Sequence, residues 1–207
     1  MMEAHTKRLV VGITGATGSL FGIRLLEALR GSDVETHLVI SKWGGRTLMH
    51  ETSYTLDQVQ KLATCCYSAN DQGAALCSGS FLTNGMVIAP CSMRTLGAIA
   101  QGQDDHLVHR AADVILKERR KLVLLVREAP LNEIHLENML KLSRMGVVIF
   151  PPVPAFYSHP QSLDEMVDHI VMRVLDQFDI HVDLTQRWDG EMTSGGVPVQ
   201  PESKVSD

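Results

Sequence analysis

The sequence predicts an α/β protein in which a parallel sheet is covered by helices on both faces. Three observations point to this class. Short runs of aliphatic and β-branched residues recur along the chain, segments with apolar residues at helical spacing separate them, and each run is followed by glycine, proline or polar residues. Strands that alternate with helices favour parallel pairing, because parallel strands need a crossover connection that is usually a helix.

Five buried strands are predicted. The first is Arg8–Ile13, whose sequence RLVVGI is almost entirely apolar. A run without polar alternation indicates a strand that is buried on both faces. The other four strands are Thr36–Ile40, Met86–Ala89, Leu122–Val126 and Val147–Phe150, and Pro90 is expected to end the third.

The helices are predicted from apolar residues at helical spacing. They are Leu20–Leu29, Thr95–Ala100, Ala111–Glu118, Ile134–Ser143 and Leu163–Phe178. A chain of 207 residues that is 44% hydrophobic can bury one full core. We therefore expect a single domain over residues 1–190, followed by a disordered tail over residues 191–207, which are rich in glycine, proline, serine and charge.

Composition argues against several classes of protein. A net charge of −5 argues against broad nucleic-acid binding, and no apolar run approaches the roughly 20 residues of a membrane span. Residues 1–8 are polar and contain no apolar signal region. The four cysteines form no CxxC pair and the nine histidines are scattered, so we expect a reduced, cytoplasmic protein without a metal site.

The residues that follow the five strands predict the position of a binding site. Ligands of open α/β sheets bind outside the carboxyl ends of the strands. In strand order, the segments at those ends are Gly15-Ala16-Thr17-Gly18, Ser41-Lys42, Pro90-Cys91-Ser92, Arg127-Glu128 and Pro151–Tyr157. Together they should form one polar rim.

The glycine turn does not match a dinucleotide or nucleotide motif. Its glycines do not spell GxGxxG, and no GKS or GKT follows. A tight turn that opens a helix can hold one phosphate with its free backbone N–H groups, and the Thr17 hydroxyl could add a donor. An ordinary strand–helix turn explains the pattern equally well. Ser92 likewise is either a ligand contact or only a helix N-cap.

Three further segments are candidates, two of them marked by charged residues. Arg110, Asp113 and Lys117 share one helix face, which is either a solvated surface or part of a site. The Arg127-Glu128 pair directly follows a buried strand, where charged residues often serve function. The proline-rich loop Pro151–Tyr157 is stiff, so it either holds Tyr157 in one orientation or only packs.

Five segments together resemble the UbiX-type flavin prenyltransferases, and more narrowly the branch whose members are named as the B component of phenolic acid or vanillate decarboxylase. The segments are GITGATGSLFG (12–22), APCSMRTL (89–96), RAADVILKERR (110–120), REAPLNEIHLENMLKLSRMG (127–146) and PPVPAFY (151–157). The similarity covers about residues 8–190 in order.

The resemblance implies a fold, an assembly and a reaction. The fold is a flavodoxin-like Rossmann three-layer sandwich, and the assembly is a homo-dodecamer with sites between subunits. The reaction joins a dimethylallyl group from dimethylallyl monophosphate to FMN at N5 and C6 without a metal. The resulting prenylated FMN serves a UbiD-type aromatic acid decarboxylase.

The resemblance also implies roles for individual residues. FMN would be held by Gly15, Ala16, Thr17, Ser41, Ser92, Met93, Arg94, Thr95 and Arg127. The dimethylallyl phosphate would be held by Lys117, Arg127, Tyr157 and Arg173. These cations would replace a metal on the leaving oxygen atoms. Glu51 would lie beside the flavin, Glu128 or the released phosphate would take the C6 proton, and Arg110 and Trp188 would approach the site.

Two departures and two alternatives remain open at this point. Thr17 stands where many members have serine, and Asp71-Gln72-Gly73 lies where many have a tryptophan nearby. We therefore expect a pocket in which one aromatic wall is absent. The alternatives are an FMN-dependent aromatic acid decarboxylase and a non-catalytic FMN-binding subunit. Against the first, the PxMNxxMW motif of flavin decarboxylases that act on peptidyl cysteine is missing; against the second, the cation set is complete.

Overall fold

A six-stranded, all-parallel sheet forms the centre of the computed structural model, which describes residues 6–188 and 190 together with the backbone of 193–194 and 197–198. The strands are β1 (Lys7–Ile13), β2 (Val34–Ile40), β3 (Cys65–Tyr67), β4 (Gly85–Cys91), β5 (Lys121–Val126) and β6 (Val148–Ile149). Their order across the sheet is β3-β2-β1-β4-β5-β6. Without the short edge strand β3, the five predicted strands have the 2-1-3-4-5 order of flavodoxin-like folds, which confirms the predicted class.

Helices cover both faces of this sheet. They are α1 (Ser19–Leu29), α2 (Lys42–Glu51), α3 (Leu56–Gln60), α4 (Met93–Ala100), α5 (Leu107–Lys117), α6 (Glu133–Arg144) and α7 (Leu163–Asp176), with a 3₁₀ turn at Ala75–Cys77. One buried core joins α1 and α7 to the sheet, and a second joins α4 and α5 to its other face. The result is the expected three-layer sandwich.

Helix α2 is the largest element that the periodicity did not predict. Gly44 and Gly45 lie in its first turn and weaken the apolar pattern there. A Cβ atom on Gly44 would lie 2.4 Å from the carbonyl oxygen of Ile13, so only glycine lets this helix begin so close to the end of β1. The residues after Ser41 are therefore a helix that the sequence pattern did not predict.

Two other predicted boundaries are wrong. Strand β4 does not stop at Ala89 but continues through Pro90 to Cys91, with a shift in its register against β5 between Ile88 and Cys91. Proline is tolerated there because the ladder is already irregular at that point. Helix α5 begins at Leu107, one turn before the predicted start at Ala111. His106 is therefore its N-cap, and His109 lies in its first turn.

The predicted disordered tail lies outside the described residues, apart from the backbone of β7 (Thr193–Ser194) and β8 (Val197–Pro198), which pair antiparallel. Within the part of the chain that the structure describes, no helix has both the length and the apolar character needed to cross a membrane.

Candidate functional site

The buried side chain of Thr14 holds two of the predicted rim segments together. Its hydroxyl donates to the carbonyl oxygen of Pro90 at 2.8 Å and accepts from the backbone N–H of Ser92 at 2.9 Å. The backbone N–H of Ser41 donates to the Ile13 carbonyl at 2.9 Å. Thr14 was not predicted from the sequence, although a polar residue directly after an all-apolar strand was a usable signal.

A cavity of about 350 Å³ opens at this edge of the sheet. Five of the predicted FMN-binding residues line it, and four further residues complete the lining. The predicted ones are Gly15, Ser41, Ser92, Arg94 and Thr95; the others are Lys42, Trp43, His106 and His109. No acidic residue is among them, so the cavity is suited to an anion. A neighbouring cavity of about 590 Å³ shares Lys42 and His106 with it.

Helix N-caps position the hydroxyl groups of this cavity. The Ser92 hydroxyl accepts from the backbone N–H of Thr95 at 3.2 Å and donates to the Thr95 hydroxyl at 3.1 Å. The Ser41 hydroxyl accepts from the backbone N–H of Gly44 at 3.0 Å. Both predicted ligand residues are therefore N-caps as well, and the starts of α2 and α4 direct partial positive charge toward the cavity.

Gly15 is required by the close approach of α2. A Cβ atom at this position would lie 2.6 Å from the Cβ atom of Trp43. Any larger residue would push α2 away from the glycine turn and disturb the wall of the cavity. The predicted role of this turn in binding is thus matched by a steric need for glycine.

The backbone N–H groups at the start of α1 are not free, as was expected, but already hydrogen-bonded. The carboxylate of Glu51 accepts hydrogen bonds from the backbone N–H groups of Gly18 at 2.9 Å and Ser19 at 3.1 Å. Burial raises the pKa of the Glu51 carboxyl, but hydrogen bonds from Thr17, Ser19 and Gly18 outweigh it and hold the pKa below its usual value. A phosphate at this helix end would meet a carboxylate, so the anion belongs nearer to Ser92 and Arg94.

Replacing Glu51 with alanine should lower the free energy of unfolding by about 1 kcal/mol, because it removes the group that caps α1. The folded-state pKa is lowered, so this stabilisation exists above the ordinary value of 4.5 and disappears as the pH falls below it. Urea unfolding at pH 7 and at pH 4 measures both effects. The exposed Glu137→Ala variant is the matched control, and equal losses in both variants at pH 7 would contradict the capping role.

His106 and His109, like Trp43, line the cavity and were not predicted from the sequence. Their rings stack with centroids 3.8 Å apart and planes inclined by 29°. His109 is buried, and neither of its ring nitrogens has a hydrogen-bond partner among the described residues; the same is true of Nδ1 of His106. Burial, with smaller contributions from the neighbouring His106 and Arg94, lowers the pKa of His109 to about 4.

Tyr157 and Trp188 contact one another beside helix α7, which carries His169 and Arg173. The Tyr157 hydroxyl lies 3.0 Å from Nε2 of His169, and the Tyr157 and Trp188 rings meet edge to face with centroids 5.5 Å apart. Burial lowers the pKa of His169, and the charge of Arg173 lowers it further. His169 was missed, although it precedes Arg173 by four residues and so shares its helix face.

Within one chain, Lys117 does not lie beside Tyr157 and Arg173. It ends α5, and its ammonium pairs with Glu118 at 2.6 Å. Strand β5 begins at Lys121 and ends just before Arg127. Lys117 therefore lies at the amino ends of the parallel strands, and Arg127 lies at their carboxyl ends. The separation along the strand is about 20 Å. The predicted cradle of Lys117, Arg127, Tyr157 and Arg173 is therefore incomplete in a single chain.

The remaining predicted residues lie on the rim or near it. The backbone N–H of Arg127 donates to the Cys91 carbonyl at 3.2 Å, and the side chains of Arg127 and Glu128 are exposed. The guanidinium of Arg110 pairs with Asp113 at 3.0 Å. Ala16 and Met93 adjoin cavity residues in the chain and Thr17 lies two residues after Gly15, but none of the three lines the cavity. Residues 6–188 contain no group of three or more His, Cys, Asp or Glu side chains arranged to hold a metal ion.

The cavity matches the phosphate end of FMN better than its ring system. Hydroxyl groups, two cationic side chains and helix N-termini all supply donors, and no carboxylate opposes an anion there. The buried, unpartnered nitrogens of His109 also indicate a polar ligand, because a buried polar group without a hydrogen bond is costly.

Comparison with protein families supports this interpretation. The Flavoprotein family model matches residues 2–175. A relative from Bacillus subtilis (strain 168), named "Probable UbiX-like flavin prenyltransferase", is 60% identical in an alignment of 203 positions that covers 94% of this chain and 100% of the relative. "Flavin prenyltransferase LpdB" from Lactiplantibacillus plantarum is 54% identical over 186 residues, or 89% of this chain and 100% of that protein.

Two solved structures are similar to the whole described fold. One is a "dodecameric FMN-dependent Ubix-like Decarboxylase" from Escherichia coli O157:H7, with a TM-score of 0.87 and 55% identity over 88% of this chain and 100% of that one. The other is "AnUbiX (PadA1) in complex with FMN and dimethylallyl pyrophosphate", with a TM-score of 0.88 and 52% identity over 89% of this chain and 98% of that one.

Proposed function

Because this chain belongs to the Flavoprotein family and, within it, to the UbiX-like flavin prenyltransferases, we propose that it joins a dimethylallyl group to reduced FMN and takes that group from dimethylallyl monophosphate. The observation that carries this function is the acid-free cavity at the carboxyl edge of the sheet, where Ser41, Ser92 and Arg94 meet. The product is prenylated FMN.

Residues around the cavity would hold FMN by its phosphate. Ser41, Ser92, Thr95 and Arg94 would donate to the phosphate, and Gly15 leaves room for the chain that leads to the ring. When bound, FMN supplies the nucleophilic N5 and C6 atoms. Glu51, which accepts from Gly18 and Ser19 at the start of α1, would lie beside the ring together with Thr17, and its ionised carboxylate could accept a proton there.

The second phosphate, which leaves the allyl group, needs a separate cationic site. Tyr157 and Arg173 supply a hydroxyl and a guanidinium close together beside His169 of α7. A leaving phosphate gains negative charge as the carbon–oxygen bond breaks, and fixed cations stabilise that charge more in the transition state than in the ground state. Arg127 would lie between the two phosphate sites, and exposed Glu128 is one candidate to take the C6 proton; the released phosphate is the other.

The site would be completed by neighbouring subunits. The chain assembles as a homo-oligomer, and we propose that Lys117 reaches the site from another copy, because it lies at the far end of the strands in its own sheet. Apolar side chains on α6 support such contacts: Ile134, Leu136 and Leu140 are 66%, 53% and 51% exposed. We propose a dodecamer, the assembly named for the relative from Escherichia coli O157:H7.

The product would pass to a UbiD-type aromatic acid decarboxylase. Such a transfer would explain why one relative is named a flavin prenyltransferase and another a decarboxylase. A cytoplasmic location belongs to the same proposal, on the ground that all four cysteines are free and suit a reducing compartment.

The decisive test combines the protein with chemically reduced FMN and dimethylallyl monophosphate under nitrogen and identifies the flavin by mass spectrometry. We expect FMN to gain the mass of one isoprene unit, at the same rate with and without EDTA. Dimethylallyl pyrophosphate in a parallel reaction should be used much more slowly. Activity that EDTA abolishes and Mg²⁺ restores would contradict a metal-independent reaction.

A further reaction addresses the alternative of a decarboxylase. The protein is incubated with FMN and vanillate alone, and carbon dioxide release is measured. We expect none. Release of carbon dioxide without flavin prenylation would show that the chain is itself the decarboxylase.

A further inference from the structure

The stacked pair of His106 and His109 has no role in the reaction outlined above. The two rings lie 3.8 Å apart at the wall of the acid-free cavity, and three of their four nitrogens are buried without a hydrogen-bond partner among the residues described. Burying polar atoms in this way lowers stability, so the arrangement calls for a ligand or a neighbour that satisfies them.

Three charged side chains among the described residues lie around this pair of histidines. Asp105 precedes His106 in the chain and favours a charged imidazole, whereas Arg94 from α4 disfavours it. Lys42 from α2 lines the same cavity and adds a second positive charge. Two cations and one carboxylate therefore surround two imidazoles, and the local balance without a ligand favours uncharged rings.

We propose that His106, supported by the ring of His109, contacts the phosphate of FMN and takes up a proton when FMN binds. The inference rests on the proposed function only in taking FMN as the ligand. A phosphate dianion in this cavity reverses the local charge balance, and a charge-assisted hydrogen bond from an imidazolium to a phosphate oxygen is stronger than one from a neutral ring.

The geometry assigns the proton to His106 and limits the uptake to one proton. His109 is buried with only 3% of its surface exposed, whereas His106 is half-buried and lines both cavities. Two imidazolium rings stacked at 3.8 Å would repel one another strongly. His109 therefore stays neutral and fixes the orientation of His106 by stacking.

The direction of the pH dependence follows from the pKa of His106 in the two states. Burial lowers this pKa below 6.5 in the free protein, and the bound phosphate raises it. FMN should therefore bind more tightly as the pH falls from 8 toward 7, by up to about tenfold per pH unit. Below about pH 6 the phosphate takes up a proton itself, so the test belongs above that value.

The variant His106→Asn separates this role from a structural one. His106 is the N-cap of α5 and makes no side-chain cap bond, and asparagine is among the best N-cap residues. The variant should fold at least as well as the natural protein. His135→Gln is the matched control, because glutamine can keep the capping box of α6 that His135 forms with Asn132.

The experiment is calorimetric titration with FMN and with riboflavin at pH 7.0, in Hepes and in Tris, with the intact oligomer. We expect about half a proton or more to be taken up per FMN, and almost none with riboflavin, which has no phosphate. His106→Asn should abolish the uptake and flatten the dependence of the FMN dissociation constant on pH, whereas His135→Gln should change neither.

Two results would overturn the inference: equal uptake with FMN and riboflavin, or an uptake that persists in His106→Asn. If FMN binds and is prenylated normally without proton uptake, only this inference fails. If neither flavin binds, the proposed function fails and this inference with it.

Discussion

Replacing Arg173 with alanine should slow prenyl transfer about a hundredfold or more and leave FMN bound. Arg173 lies on α7 beside the Tyr157–His169 pair and does not line the FMN cavity. Its contact with Asp176 is long, at 3.8 Å, and that carboxylate is already held by Arg187 at 2.8 and 2.9 Å. The guanidinium is therefore available to a ligand, and its charge is most valuable when the allyl phosphate leaves.

The measurement compares bound FMN, from the absorbance of the purified protein, with the rate of prenyl transfer at saturating flavin. Arg30→Ala removes an exposed arginine at the end of α1 and serves as the matched control. Tyr157→Phe should cost less than Arg173→Ala, because it removes a neutral donor and keeps the ring against Trp188. If Arg173→Ala loses FMN while its residual holoenzyme turns over normally, the two phosphate sites have been assigned the wrong way round.

The strands and the rim could be predicted because both depend on local patterns. Runs such as Leu122–Val126 are apolar throughout, and the observed strand β5 differs from that prediction by one residue. Ser92 was predicted as an N-cap, and the structure confirms that role. Parallel pairing then brings the strand ends to one edge whatever the detailed packing, so the residues that follow the strands meet there.

The contacts that could not be predicted join distant segments of the chain. Glu51 reaches the start of α1 only because α2 is a helix, and the glycines that let α2 pack against β1 also hide its periodicity. His106 and His109 precede the predicted start of α5, so no pattern marked them. The family resemblance placed Lys117 and Arg127 at one phosphate site, yet the full length of β5 separates them within a chain.

Because Lys117 and Arg127 are far apart in one chain, we expect activity to recover when two inactive variants, one at each position, assemble in the same oligomer. Lys117→Ala and Arg127→Ala should each lose about a hundredfold or more in prenyl transfer, and Arg127→Ala should also retain FMN less well. If one subunit supplies Arg127 and its neighbour supplies Lys117, a mixed oligomer contains sites in which both natural residues meet. Random assembly from equal amounts makes about a quarter of the sites complete.

The two variants are co-expressed with different affinity tags, the mixed oligomers are purified through both tags, and prenyl transfer is assayed at saturating FMN. We expect about a quarter of the natural specific activity from an equal mixture, because each site has an even chance of receiving each natural residue. Lys117→Ala co-expressed with itself under both tags is the control and should stay inactive. Activity no higher than the mean of the two variants would mean that Lys117 and Arg127 do not act at a shared site, since the length of β5 prevents them from meeting within one chain.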